Sequence, residues 1–300
     1  MMFDTVPQLD CAGRILRLDR PQVMGIVNVT PDSFSDGGAH DTTDAAVAHA
    51  LRLVEEGADA LDIGGESTRP GAAEVEVEEE LRRVVPVIER LAAQVAVPIS
   101  IDTSKPEVMR AAVQAGAGMI NDVYGLRREG ALDAAAALGG PGVLMHMQGE
   151  PRSMQAAPQY DDVGGEVHRF LAERIFAAEM AGIAKQRIVV DPGFGFGKDT
   201  AHNLQLLAQF ERFVELGVPV LAGLSRKRSI GELTGRDVPA DRVAGSVAAH
   251  LIAAQRGAAI VRVHDVAATV DALKVWNAVA AVPTPRKAAA TPAIRWPDDD

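Results

Sequence analysis

Met24-Gly-Ile-Val-Asn28-Val-Thr-Pro-Asp-Ser-Phe-Ser-Asp-Gly-Gly38 carries a short apolar, β-branched run directly into a long loop of Pro, Asp, Ser and Gly. The first half has the composition of a buried strand. Asn28 stands at the changeover. A rigid strand that delivers an amide into a loop holding Thr30, Asp32, Ser33 and Ser35 is a common way to build a ligand site. The same composition also serves an ordinary capped turn, so the rest of the chain has to decide between them.

Working outward, apolar strand candidates recur at about 23–27, 59–63, 97–101, 117–121, 142–147, 187–191, 218–223 and 258–263. Helical patterns lie between most of them. Val47, Leu51 and Val54 share one face, Leu81, Val84, Ile88 and Leu91 a second, and Val266, Val270 and Leu273 a third. Pro86 predicts a kink or a restart in the second helix. Ser104-Lys-Pro-Glu107 has capping-box spacing, and Gly57, Gly116 and Gly182 stand where helices should end. The acidic run from Glu74 to Glu80 reads as a solvated helix start.

Eight strands alternating with helices require parallel pairing through crossovers. The natural solution is an α/β fold of the closed (β/α)8 TIM-barrel type, with an open doubly wound sheet as runner-up. The chain divides into an N-terminal extension (1–22), a single barrel domain (23–282) and a flexible tail (283–300) that lacks apolar periodicity. Within the extension, the alternation from Arg14 to Asp19 fits an edge strand or a plug for the barrel.

Composition narrows the function. A 47% hydrophobic content in 300 residues supports a large core, and 4% aromatics make it mainly aliphatic. The net charge of −11 argues against a nucleic-acid-binding surface or a basic membrane face. Cys11, the single cysteine, excludes an intrachain disulfide and suits a reducing compartment. The N-terminus has no basic region followed by an apolar run, and no apolar stretch approaches spanning length. These features lead to the expectation of a cytoplasmic protein with neither nucleic-acid nor membrane partners.

In a barrel of this kind the functional groups gather at the C-terminal ends of the strands. Here those ends carry Asn28, Asp62, Asp102, Asn121, His146, Asp191, Ser225 with Lys227, and Arg262 with His264. Any one of them, taken alone, fits a helix cap, as Asp102 before Thr103-Ser104 illustrates; polar residues on nearly every strand converge on one mouth and call for a ligand. The set also divides by charge. Arg226, Lys227, Arg262 and His264 follow the last two strands, where these barrels commonly hold phosphate. Asp102, Asp191 and Asn121 match a flat heterocycle bearing an N–H array.

Other signals are weaker. Gly193-Phe-Gly-Phe-Gly-Lys198 is not a Walker A loop, because Pro192 and Asp199 replace required residues. Phe194 and Phe196 fit equally a cover for a planar ligand and core packing. His146 fits equally a satisfied core histidine and a site residue. His49, His168, His202 and His250 have no zinc-site spacing. No Gly-x-Ser-x-Gly elbow is present.

At these residues the sequence closely resembles the dihydropteroate synthase family. The matching segments are Asn28 to Gly38, Asp62 to Gly71, Ile101 to Lys105, Ile120 to Val123, Met145 to Gly149, Asp191 to Lys198, Leu224 to Lys227, and Arg262 to Asp265. The resemblance implies a barrel that joins 6-hydroxymethyl-7,8-dihydropterin diphosphate to p-aminobenzoate and releases pyrophosphate. It implies that Asp102, Asn121, Asp191 and Lys227 hold the pterin, with Met145 packed on the ring. By the same carry-over Asn28, Arg262 and His264 grip the diphosphate, Asn28 through Mg²⁺, and Thr68 and Arg69 belong to a loop that closes over it. Phe34, Pro70, Phe196 and Lys227 border the p-aminobenzoate pocket, which is also the family's sulfonamide site. Arg228 stands where some members have Ser. The resemblance further implies a homodimer through the later helices.

Overall fold

The computed structural model describes residues 6–30, 39–67, 73–149, 154 and 158–282. The chain begins with a hairpin in which β1 (Gln8–Cys11) pairs antiparallel with β2 (Arg14–Arg17). The connecting Ala12 and Gly13 both take positive φ, 55° and 85°. A two-residue loop with that geometry matches the right-handed twist of the flanking strands.

Eight parallel strands follow: β3 (Gln22–Asn28), β4 (Ala60–Gly64), β5 (Ile99–Asp102), β6 (Met119–Asp122), β7 (Gly142–Met145), β8 (Ile188–Asp191), β9 (Leu221–Ala222) and β10 (Ile260–Val263). They pair in the order β8-β7-β6-β5-β4-β3-β10-β9. A parallel bridge between Val190 and Val220 joins the two ends. The sheet therefore closes into the expected barrel and the open alternative falls away. β9 pairs over two residues only; Pro219, just before it, has no N–H to give to a ladder.

Helices α1 (Ala39–Glu55), α2 (Val77–Ala92), α3 (Pro106–Ala115), α4 (Ala131–Leu138), α5 (Val163–Met180), α6 (Thr200–Ala208), α7 (Glu211–Val214), α8 (Arg228–Thr234), α9 (Val243–Gln255) and α10 (Val266–Ala280) form the outer ring. Outward-facing Val23, Ile63, Ile101 and Ile120 pack beneath them in the main aliphatic core. Gly116 ends α3 at φ 116°, donating to the carbonyls of Ala112 and Val113. Gly57 and Gly182 take the same left-handed backbone after α1 and α5.

Inward-facing residues near the strand starts (Met24, Ala60, Met119, Val143, Val189, Leu221 and Ile260) form a second cluster with Leu9, Cys11 and Leu16 of the hairpin. The extension is thus a plug in the N-terminal mouth of the barrel. Gly118 shows how close it comes: a Cβ there would lie 2.3 Å from the Cys11 carbonyl oxygen.

One local expectation is narrowed and two are corrected. Of the kink or restart expected at Pro86, the restart does not occur, because α2 runs through it as one element. Ser104 does not cap α3: Pro106 occupies the first turn, where its missing N–H costs nothing, and this moves the cap to Lys105 with no side-chain bond. Glu80, in the acidic run, is fully buried, and its carboxylate meets Lys105 Nζ at 2.5 Å. Residues 283–300, read as a tail, lie outside the described residues.

Candidate active site

A cavity of about 730 Å³ opens among the C-terminal ends of the strands. Its walls carry Asn28 from β3, Asp102 from β5, Asn121 from β6, Met145 from β7, Asp191 from β8 and Arg262 from β10. Phe196, Lys227 and His264 enter from the loops that follow β8, β9 and β10. Every described residue to which the resemblance gave a role in the site is therefore in one place, whereas the strand-end residues Asp62 and His146 line no part of the cavity. Phe34, Thr68, Arg69 and Pro70 lie outside the described residues.

The division into a cationic and an acidic arc does not hold. Arg262 sits between carboxylates, its Nε 2.5 Å from Asp62 Oδ2 and its Nη2 2.7 Å from Asp102 Oδ2. Arg226 is neutralised outside the acidic group by Asp265, with contacts of 3.0 and 2.5 Å. Asp62, fully buried, also accepts a hydrogen bond from Asn121 Nδ2 at 2.9 Å.

Burial dominates the titration of the site. It pushes Asp102 up to about 7, with Arg262 pulling the other way. Burial raises Asp191 as well, opposed by the Gly193 N–H, which donates to its Oδ1 at 2.7 Å, and by Lys227. Lys227 is pushed down to about 8, first by burial and then by neighbouring Arg262. Its Nζ lies 4.3 Å from the centroid of the Phe196 ring, a cation–π contact.

The loop after β8 is stitched by Lys198, whose Nζ reaches the Gly193 carbonyl at 2.8 Å, the Phe196 carbonyl at 2.9 Å and His146 Nδ1 at 2.9 Å. Burial lowers this amine to about 7. All three bonds survive either protonation state, since neutral imidazole can accept from the ammonium or donate to the amine. Burial and Lys198 together push His146 down to about 2. With its ring edge-on to Phe170 at 4.8 Å, His146 is a support residue of the core. Both phenylalanines reach the cavity wall, but from different packing: Phe194 stacks on Phe210 in the main core, while Phe196 clusters with Met145, Met147, Met154 and Val123.

His264 is aligned by Ser225, whose Oγ lies 2.9 Å from its Nδ1 and 3.1 Å from its backbone N. Arg226 takes a positive φ of 56°, unusual without glycine. Ser246 Oγ accepts from its N–H at 2.8 Å and Arg242 donates to its carbonyl at 3.0 Å, which over-determines the turn that aims Lys227 inward. Sequence reasoning gave no role to Asp62, Lys198, Arg242, Ser246 or the buried Lys105 pair with Glu66 and Glu80. Of these only Asp62 had a signal, its place at a strand end. Among the described residues no cluster of three His, Cys, Asp or Glu could by itself hold a metal ion.

A barrel with buried carboxylates and cations sharing one C-terminal mouth is a binder of polar, charged small molecules. The family model for pterin-binding enzymes matches residues 24–264, and the chain belongs to that family. The relatives it resembles are dihydropteroate synthases. That of Escherichia coli K12 is 54% identical over 271 residues, covering 90% of this chain and 96% of the relative. The Xanthomonas albilineans enzyme solved with 4-aminobenzoic acid is 76% identical, with a TM-score of 0.89 over 93% of this chain and all of the other. The same organism's enzyme in complex with 7,8-dihydropteroate is 74% identical, with a TM-score of 0.86 over 92% of this chain and all of the other.

Proposed function

We infer that this barrel joins 6-hydroxymethyl-7,8-dihydropterin diphosphate to p-aminobenzoate, forming 7,8-dihydropteroate and releasing pyrophosphate. The observation that carries the reading is the convergence of Asp102, Asn121 and Asp191 with Lys227, Arg262 and His264 on one cavity. The relatives solved with 4-aminobenzoic acid and with 7,8-dihydropteroate support it.

In the reaction the C–O bond between the pterin methylene and the diphosphate breaks, the electron pair leaving with pyrophosphate. The amine nitrogen then forms the new C–N bond and sheds a proton to solvent. In their ionised forms Asp102 and Asp191, each with a cation beside it (Arg262 and Lys227), accept pterin N–H groups and stabilise the cation growing on the ring. Arg262 and His264 meet the departing diphosphate. Met145 lies along the ring, and Phe196 and Lys227 flank the p-aminobenzoate pocket, where a sulfonamide would compete. An aromatic amine is neutral at pH 7, so its attack needs no general base, and the support role of His146 is consistent with that.

Asn28 offers one neutral amide oxygen at the cavity wall. A lone hard donor suits Mg²⁺, which is bound through few protein ligands together with substrate phosphates. Asn28 would hold the ion, and the ion would neutralise charge building on the leaving group. Two finer features belong to the same reading. Exposed Ile252 of α9 and Val275 and Val279 of α10 supply an apolar surface for a homodimer through the later helices. The lone, buried Cys11 suits the cytoplasm.

The test is an assay of pyrophosphate release from the pterin diphosphate with Mg²⁺, with and without p-aminobenzoate. Release that depends on p-aminobenzoate is expected. A methyl-transferring pterin barrel or a non-catalytic binding barrel would give none, and that result would end the reading. Sedimentation checks the dimer.

A further inference from the structure

Asp62 reaches its partners in the manner of a barrel layer, in which side chains of alternate strands meet. From β4 it touches Asn121 on β6 and Arg262 on β10, both on Oδ2. The carboxylate is fully buried, and Oδ1 has no hydrogen-bond partner among the described residues. A group that lines no part of the cavity and is nonetheless the meeting point of two cavity residues acts through them.

A carboxylate only accepts hydrogen bonds, whereas an amide can present either end. With Asp62 behind it, Asn121 must turn its Nδ2 backward and is left with Oδ1 toward the ligand side. Without that anion the amide could flip and present a donor, which would repel a ligand edge made of N–H groups. We propose that Asp62 is a positioning residue that sets the donor–acceptor polarity of Asn121, so that the site accepts N–H groups from the ring. The proposal rests on the pterin reading above. It also states what the cavity discriminates against: a bicyclic ring of equal size with an acceptor at the Asn121 contact.

The test is a double-mutant cycle read by calorimetry with 6-hydroxymethyl-7,8-dihydropterin, which carries the ring without the diphosphate and so leaves out the proposed diphosphate contacts of Arg262. Asp62→Asn keeps the shape and removes the obligatory acceptor. It is expected to weaken ring binding about tenfold in the native background, the scale of one hydrogen bond to a charged group. In an Asn121→Ala background the same change should cost less than about twofold, because nothing remains to orient. Equal losses in the two backgrounds would overturn the proposal.

Should Asp62→Asn fail to fold, the native protein still decides by NMR. The Asn121 side-chain N–H protons should remain protected from exchange in both the free and the ring-bound protein, since only Oδ1 meets the ligand. Rapid exchange of the N–H held by Asp62, in either state, would equally overturn it. A native protein that binds no ring at all would instead refute the pterin reading, so the two failures are distinct.

Discussion

Arg262 Nη2 lies 2.7 Å from Asp102 Oδ2, so a cation assigned to the diphosphate is bonded to a carboxylate assigned to the pterin. The same guanidinium holds Asp62 at 2.5 Å through Nε. One arginine thus neutralises two buried anions contributed by separate strands, and its removal strands both. Arg262→Ala should lower unfolding free energy by about 3–5 kcal/mol, the usual cost of leaving a buried charge unpaired. It should also slow turnover by about 10²-fold through loss of leaving-group stabilisation. Urea titration beside the pyrophosphate assay reads both; a variant as stable as the parent would show that the ion triad does not hold these strand ends.

Asp102 gives the site a pH dependence with a definite sign. Burial raises it to about 7, and only the ionised form accepts pterin N–H groups. Ring affinity should therefore rise as pH increases through about 7, and Asp102→Asn should bind weakly at every pH and lose that rise. Stability runs the other way. A carboxyl raised in the folded state favours folding below its ordinary range, and the contribution is lost as pH rises through the folded value. The difference in stability between the parent and Asp102→Asn should shift in favour of the variant on passing from pH 5 to pH 8. Calorimetric titration and denaturant melts across that range test both halves.

The contrast between Arg262 and its partners shows where sequence stops informing. Periodic apolar runs place the strand ends, and a parallel barrel converts those ends into one rim by geometry alone, so Asn28, Asp102, Asn121, Asp191 and Lys227 were legible as a set. Which of them touch was not legible, because the contacts span 200 positions for Arg262 with Asp62 and 52 for Lys198 with His146. Local rules failed where a tertiary partner outweighed them. Glu80 follows the pattern of a solvated helix start and is drawn inside by Lys105, and Ser104 has capping spacing that Pro106 overrides. His146 could not be assigned either way until its amine partner was seen.

Two glycines with left-handed backbone, Gly193 after β8 and Gly139 after α4, differ sharply in what they tolerate. Gly193 takes φ 72°, and a Cβ there would lie 1.9 Å from the His146 carbonyl oxygen, a backbone atom that cannot step aside. Gly139, at φ 78°, has nothing within 4 Å. Gly139→Ala should cost about 1 kcal/mol, the penalty of the left-handed backbone alone. Gly193→Ala should cost several times more and displace the loop that carries Phe196, raising KM for p-aminobenzoate. Equal melting temperatures for the two variants would refute the close approach.

The hairpin plug predicts a separation of stability from activity. Leu9 is 1% exposed and packs with Met24, Val143, Val189 and Leu221 at the mouth opposite the cavity. Ile15, on the same hairpin, is 46% exposed. Leu9→Ala opens a void among fully buried aliphatic side chains and should cost about 2–5 kcal/mol. Ile15→Ala removes an exposed side chain and should stay within about 0.5 kcal/mol of the parent. Neither should alter KM for either substrate under conditions where the chain is folded, because neither residue reaches the strand ends that bear the site. If Leu9→Ala unfolds at the same urea concentration as Ile15→Ala, the hairpin is an ornament on the barrel and not its stopper.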